Sequence, residues 1–320
     1  MGKRTLSYVS VKVVNDRTDL VFIRDIERAL ARAGMQRRNN QPFTAYVQLA
    51  RLLGRTGFIK NLAQLGNAYV VPAGQVSEHR FFPVGYLHET IPYFFDSWER
   101  LFPRIERHLK ALRCKVAFFS ARQSAQYFNS RIPGLECFWL PEACDPRDYN
   151  PGVPLAERSI DVLELGRRLE SLHQQIAQPL AESKRVHRFA KRPGQMIFPR
   201  FVDLVSGFAQ TRLSVCFPGS VTHKDWAGNI ETVTYRYFES MASKCIVYGS
   251  CPGELRDLFG YDPVINADLQ NPYSQIDDIL RQIDSYQELV DRNYQRLLEV
   301  GTWDSRTKAM LEILKARGYS

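Results

Sequence analysis

The residues best suited to chemistry are two glutamates, Glu231 and Glu239, in the stretch GNIETVTYRYFESMASKCIVYG. On one continuous helix, eight positions rise about 12 Å and return close to the starting side, so both carboxylates mark one broad face. That spacing suits a long polar ligand, and a solvated helix face is the plain alternative. Glu239 is further distinguished by its setting between Phe238 and Ser-Met-Ala, just before the apolar run CIVYG, where an unpaired charge is costly and a partner is expected. Asn229 and Thr232 are candidate caps, and a helix amino terminus opening there attracts anions. Arg167 and Arg168 follow the strand-like SIDVLELG through Gly166. At a helix start, their guanidinium charge and the backbone amides could hold phosphate together, unless they are only surface arginines after a glycine turn. In the first half, GYLHETIPYFFD brings His88, Glu89, Tyr93 and Asp96 together at what reads as a strand end. A lone histidine in such a place is often structural.

Two α/β units must position these groups. In the first, strands LSYVSVKVV, AYVVPA, FFPVGYL, CKVAFFS and ECFWLP alternate with helical segments over 18–34, 43–65, from about 97, and in ARQSAQYFN. Such alternation predicts a mostly parallel sheet covered on both faces. The proline-rich PEACDPRDYNPGVP reads as a linker, after which the pattern restarts. Strands SIDVLELG, QMIFP, TRLSVCFP, KCIVYG and PVIN alternate with helices over 167–181, 200–210, the Glu231 segment, a short helix after Pro252 and three terminal helical segments. The predicted division is 1–145, 146–302 and a final helical piece, 303–320. Ligands of open parallel sheets bind beyond the carboxyl ends of the strands, in a cleft when two such domains face each other.

Composition narrows the classes. The chain has 320 residues, 44% hydrophobic and 24% charged, with a formal net charge of +9, which is ordinary globular composition with length for two domains. No apolar run reaches the roughly 20 residues of a membrane span, and the first residues lack the apolar core of a signal peptide. The expected location is cytoplasmic, with the inner membrane face as a candidate peripheral site. The six cysteines form no CxxC pair and read as reduced structural thiols. Arg24, Arg28 and Arg32 recur every four positions, and Arg104, Arg107 and Lys110 lie on a second basic amphipathic helix. These faces leave acidic lipid, a phosphorylated acceptor, nucleic acid and plain solvation open.

IETVTYRYFESMASKCIVYG, followed by PGELRDLFGYDPVI, resembles the carboxyl-terminal domain of GT-B glycosyltransferases of the glycosyl-transferase group 1 type. Glu231 and Glu239 match that family's E-x7-E pattern, and the resemblance spans about 159–314. It implies a GT-B fold, with two Rossmann-like parallel-sheet domains facing a cleft. It also implies transfer of a sugar, of hexosyl type, from a nucleotide sugar to an acceptor bound by the first domain, within glycoconjugate biosynthesis. In the family the first glutamate lies near the donor sugar and the second bonds the ribose, which assigns Glu231 and Glu239 to those roles. Arg167 or Arg168 would meet the pyrophosphate, aided by the amides near Asn229 and Thr232. Relatives place a histidine beside the donor sugar, which His88 matches by order in the chain alone, and Glu89, Tyr93 and Asp96 become acceptor-side candidates. The pattern goes mostly with retention of configuration, for which the leaving diphosphate can itself take the acceptor proton. An inverting enzyme would need a base such as His88, Glu89 or Asp96. No D-x-D triplet is present, so metal-independent transfer is expected, with no metal ligand and no cofactor beyond the donor substrate.

Lys244 stands where the family usually has glycine, and the glycine-rich turn after the first strand is absent. The acceptor is unidentified: a glycan, a lipid-linked molecule or a small molecule, with an anionic membrane as a further contact and nucleic acid less favoured because few aromatics interleave with the basic runs. The alternatives are a non-catalytic basic protein of this fold and a sugar-nucleotide epimerase.

Overall fold

A computed structural model describes residues 5–10, 21–39, 67–73, 88–192 and 194–320. Its first sheet contains β1 (Thr5–Ser10), β2 (Gln36–Asn39), β3 (Asn67–Ala73), β4 (Glu89–Phe94), β5 (Val116–Phe119) and β6 (Glu136–Trp139), in the order β2-β1-β3-β4-β5-β6. The second contains β7 (Ile160–Glu164), β8 (His187–Phe189), β9 (Thr211–Cys216), β10 (Ile246–Gly249) and β11 (Ile265–Asn266), ordered β11-β10-β9-β7-β8. Every pairing is parallel. Both orders are doubly wound, and the second reverses direction between β7 and β9, the crevice where such sheets take ligands. β4, β5 and β10 are buried along their whole length, as strands covered by helices on both faces must be.

Several elements differ from the sequence reading. QMIFP forms no strand; the second sheet instead gains the short β8 from the preceding basic stretch, where His187 and Phe189 turn inward and Arg188 outward. β2, of sequence QRRN, pairs only with β1 among the described residues and is polar throughout, as suits an edge strand. The strand near His88 is Glu89–Phe94, so His88 and Glu89 stand at its start and Asp96 beyond its end. The readings of 43–65 as helix and FFPVGYL as strand lie outside the described residues. Glu231 and Glu239 do not share a helix: that helix is Tyr235–Ala242, leaving Glu231 in the preceding loop.

The linker is held firmly. Buried Arg158 donates to the carbonyls of Pro151, Val153 and Thr211, at 2.7, 2.9 and 2.7 Å. The chain returns from the second domain beside Cys144, where Trp303 N–H donates to the Cys144 carbonyl at 3.1 Å. Helix Trp303–Lys315 then lies on the first domain, where Trp303, Met310 and Leu314 share one core with Tyr8, Ile26, Leu30 and Tyr93. Its companion there is helix Val21–Arg32, buried through Ile23, Ile26 and Leu30. The arginines of that helix are paired: Arg24 and Arg28 with Asp148, Arg32 with Asp145 and Asp304. They clasp the linker and the terminal helix instead of forming an open basic face. All six cysteines are buried and free. Among the described residues no helix is long and apolar enough to cross a membrane.

Candidate active site

β7 leaves the second sheet through Gly166, whose φ of +87° turns the chain sharply, and presents Arg167 to a cavity of about 420 Å³. That volume falls in the usual range for small-molecule sites. Beside it β9 contributes Val215, Cys216 and Phe217, and helix Tyr235–Ala242 opens onto the same space through Thr234, Tyr235 and Arg236. Across from them the first domain supplies Phe22, Phe95 and Asp96, and the linker supplies Glu142.

The wall from the second domain is positive. Arg167 lies over the Trp98 ring, 4.9 Å from its centroid, and Arg236 pairs with Glu239 at 2.5 Å. The partial positive charge of a helix amino terminus adds to both.

The opposite wall is acidic. Asp96 has φ +47°, a left-handed backbone rare for a residue other than glycine, just past the end of β4. Burial raises its pKa, and Arg167 opposes the rise. Buried Glu142 is pushed well above the usual carboxylate range by burial and then by Asp96, although a hydrogen bond from the Tyr235 backbone N–H pulls the other way. Two carboxyl groups in one small space resist ionising together.

Glu239 is buried within the helix, accepts a hydrogen bond from the Tyr149 hydroxyl at 2.8 Å and pairs with Arg236. Burial raises its pKa, countered first by Arg236. The chain of polar groups continues from Tyr149 to Tyr235 and from Tyr235 to Asp25, a fully buried carboxylate on the first domain that also pairs with Arg24. The charge expected from sequence to need a partner has one, and it is Arg236, three positions earlier.

Glu231 belongs to a strap that crosses between the domains. The Gly253 N–H donates to its carboxylate at 3.1 Å, and its own N–H donates to Gln123 Oε1 at 2.7 Å. Asn229 N–H donates to Glu99 at 3.0 Å, Gln123 returns a bond to the Asn229 carbonyl, and Ile230 is buried in the first domain's core. Thr232 is buried, and its hydroxyl has no partner. Neither Asn229 nor Thr232 caps the helix; Thr234 occupies that position without a side-chain bond. Beside this strap, the Glu254 carboxylate accepts from the Arg122 N–H at 2.6 Å and from Trp139 Nε1 at 3.1 Å. Burial pushes its pKa up to about 7.

The remaining sequence candidates lie away from the cavity. Arg168 turns outward to Glu170 and the Ala190 carbonyl. His88 meets the edge of Tyr69 at 5.2 Å, and burial lowers its pKa. Eight residues separate it from Asp96 along β4, on the order of 20 Å or more of extended chain. Glu89 is buried against the Tyr319 hydroxyl, at 2.5 Å. Tyr93 is a core residue, fully buried, donating to the Leu140 carbonyl at 2.9 Å. Sequence reasoning missed Arg236 and Glu142. The spacing of Arg236 to Glu239 could have signalled the first; nothing in the linker's composition signals the second. Lys244 adopts φ +52°, a left-handed backbone that glycine takes more readily than lysine.

No family model matches the sequence, and no curated protein matches it. Solved structures do share its fold over nearly the full length of both chains. Sucrose-phosphate synthase of Thermosynechococcus elongatus is 12% identical with a TM-score of 0.57, covering 98% of this chain and 99% of that one. An alpha-glucosyltransferase in complex with UDP and a 13-mer DNA containing a HMU base is 8% identical with a TM-score of 0.59, covering 98% and 100%. Anabaena HepE, in complex with UDP and glucose, is 10% identical with a TM-score of 0.56, again covering 98% and 100%. These are GT-B glycosyltransferases, and the chain has the GT-B fold.

Proposed function

We propose that the protein is a glycosyltransferase that moves a sugar from a nucleoside diphosphate sugar to an acceptor entering between the domains. The observation that carries this reading is the cavity at the β7/β9 crossover, with Arg167, Arg236 and a helix amino terminus on one wall and Asp96 and Glu142 on the other. The donor diphosphate meets the cationic wall. Glu239 takes the ribose hydroxyls when Arg236, which now covers it, turns toward the phosphates. Glu231 closes the donor end through the strap. As the bond from the anomeric carbon to the β-phosphate oxygen breaks, charge builds on the diphosphate, and the arginines and amides stabilise it. The acceptor hydroxyl bonds to the anomeric carbon and its proton passes to the departing phosphate oxygen, which gives retention without a dedicated base. His88, at the far end of β4, has no part in this step. Asp96 is the one acceptor-side candidate on the cavity wall, where it can orient the acceptor hydroxyl. These groups suffice without a metal bridging the diphosphate.

A screen of UDP, GDP, ADP and dTDP sugars by thermal shift, in chelator, tests the reading. One donor series should raise the melting temperature, and its nucleotide should be released when acceptor is added. No stabilisation by any of them would sink the proposal, and nucleotide release that returned only with magnesium or manganese would remove the metal-independent route. Recovery of an isomerised sugar with no acceptor present would favour an epimerase. A nucleic-acid acceptor is the second reading, favoured by the net charge of +9 and by the neighbour bound to DNA. Retention of a labelled duplex that weakens steeply with salt would support it.

A further inference from the structure

Behind the Arg167 loop, three side chains far apart in sequence converge. Glu164 ends β7, His187 begins β8, and His173 lies in the first turns of helix Glu170–Glu182. Glu164 Oε2 is 2.5 Å from His173 Nδ1 and 3.0 Å from His187 Nε2, and the three atoms lie within 4.8 Å of one another. The Glu164 side chain is 2% exposed and His187 4%, while His173 at 12% stands nearest to solvent. Phe189 packs against both rings, at 4.6 and 4.7 Å, and fixes their planes. The second carboxylate oxygen, Glu164 Oε1, is buried with no hydrogen-bond partner among the described residues. A deeply buried carboxylate that concentrates two contacts on one oxygen and leaves the other bare is under-satisfied.

We propose that Glu164, His173 and His187 form a binding site for a divalent transition metal, with zinc as the ion their chemistry selects. Two imidazoles and one carboxylate are a common three-ligand set for zinc, with water in the fourth position. Bonds of about 2.0 to 2.2 Å hold the ligands of a tetrahedral ion roughly 3.3 Å apart, so the two contacts to Glu164 need open by less than about 1 Å. The fourth position faces the His173 side, where the site is least covered. Magnesium, which prefers oxygen ligands in octahedral array, fits poorly. The ion would join β7, β8 and the following helix, three residues before Arg167 and outside the cavity. It thus bridges no diphosphate, and the site stands independently of the proposed transfer reaction.

Calorimetric titration of the chelator-stripped full-length chain with zinc chloride should show one equivalent bound, and zinc should raise the melting temperature where magnesium does not. His173→Gln and Glu164→Gln should each weaken zinc binding more than about tenfold, since loss of even an outer partner of a metal ligand costs that much. Both should also lose the zinc-dependent rise in melting temperature. If Glu164→Gln fails to fold, His173→Gln, at the more exposed position, carries the comparison alone. Absence of zinc binding by the parent would overturn the proposal and leave two imidazoles hydrogen-bonded to one buried carboxylate. Zinc binding of undiminished affinity in His173→Gln would overturn it too, because the ion would then lie elsewhere.

Discussion

The two strand ends that face each other across the cavity are built to opposite rules. β7 leads through Gly166 to Arg167, and its wall offers the guanidinium groups of Arg167 and Arg236 and the amino terminus of helix Tyr235–Ala242. β4 leads into Asp96, at a left-handed backbone angle just past its end, and that wall offers two carboxyl groups whose pKa values are raised by burial, in Glu142 also by Asp96. Under the proposed function a diphosphate would be drawn to the first wall and repelled by the second, so that charge would orient an extended donor. The acidic wall is left to face hydroxyl groups. The lesson is that orientation here comes from an asymmetry between domains, with no single residue responsible.

The strongest way to break the asymmetry is to remove the cations. Replacing Arg167 and Arg236 together by glutamine should lower kcat/KM by about a thousandfold or more, in line with the loss of donors aimed at developing charge. Steady-state kinetics on the folded double variant checks this, and a loss below tenfold would place the leaving group elsewhere.

The next largest effect belongs to Glu239, buried on the helix that carries Arg236. Glu239→Ala should weaken nucleotide binding about tenfold to a hundredfold, the worth of charged hydrogen bonds of about 1.5 to 3 kcal/mol. It should also abolish the preference for ribose over 2′-deoxyribose. A variant that binds more weakly yet keeps the sugar preference would show that Glu239 acts only by holding Arg236.

These two walls were unequally legible in the sequence. Gly166 and Arg167 closely follow β7, and Glu239 lies on the helix just before β10, so local pattern predicts the position of each. The acidic wall is assembled from a strand end and a linker 46 residues apart, and only the fold brings Asp96 and Glu142 together. His88 was misplaced because the strand begins after it, which inverts which end of the segment opens on the cleft. Glu231 was given the wrong element since TVT, rich in β-branched residues, resists helix and delays its start to Tyr235. The zinc ligand set was invisible for a similar reason, as Glu164, His173 and His187 show no metal-binding spacing along the chain.

Away from the cavity, Glu254 of the second domain joins the first through the Arg122 N–H and the Trp139 ring. Its folded pKa of about 7 is raised by burial above the ordinary glutamate value, so its contribution to stability is complete below the unfolded pKa and is lost as pH rises through about 7. Melts at pH 4.5 and 7.5 should therefore show a larger drop in the parent than in Glu254→Gln, by on the order of 2 to 3 kcal/mol at most. Identical pH profiles for the two proteins would remove Glu254 as the titrating group at this interface.

A smaller effect probes the acidic wall directly. Since Asp96 and Glu142 both have raised pKa values, nucleotide affinity should fall as pH rises and their carboxylates charge against the diphosphate. Asp96→Asn should tighten nucleotide binding a few-fold at neutral pH and flatten that dependence, for about 1 kcal/mol of relieved repulsion. Weaker binding by the variant would mean that Asp96 contacts the donor instead of repelling it.

The smallest effect expected concerns the basic helix that flanks this cleft. Arg28 and Arg32, 48% and 35% exposed, already neutralise Asp148, Asp145 and Asp304, so little of their field is left for a membrane or an anionic acceptor. Exposed pairs are worth about 0 to 1 kcal/mol each, and the buried Asp145 keeps Arg147 as a partner. Replacing Arg28 and Arg32 by glutamine should lower the melting temperature by only a few degrees and leave nucleotide binding unchanged. Arg24 is kept, because its removal would strand the fully buried Asp25. If the arginines served an acidic bilayer instead, each would contribute about 1 kcal/mol there, and co-sedimentation with anionic vesicles at low salt would fall by tenfold or more in the double variant. The pairing predicts retention within about twofold of the parent, which makes these arginines the clasp that docks helix Val21–Arg32 against the linker and the terminal helix. That docking sets where Phe22 meets the cavity, so the helix acts on the cleft through position and not through charge.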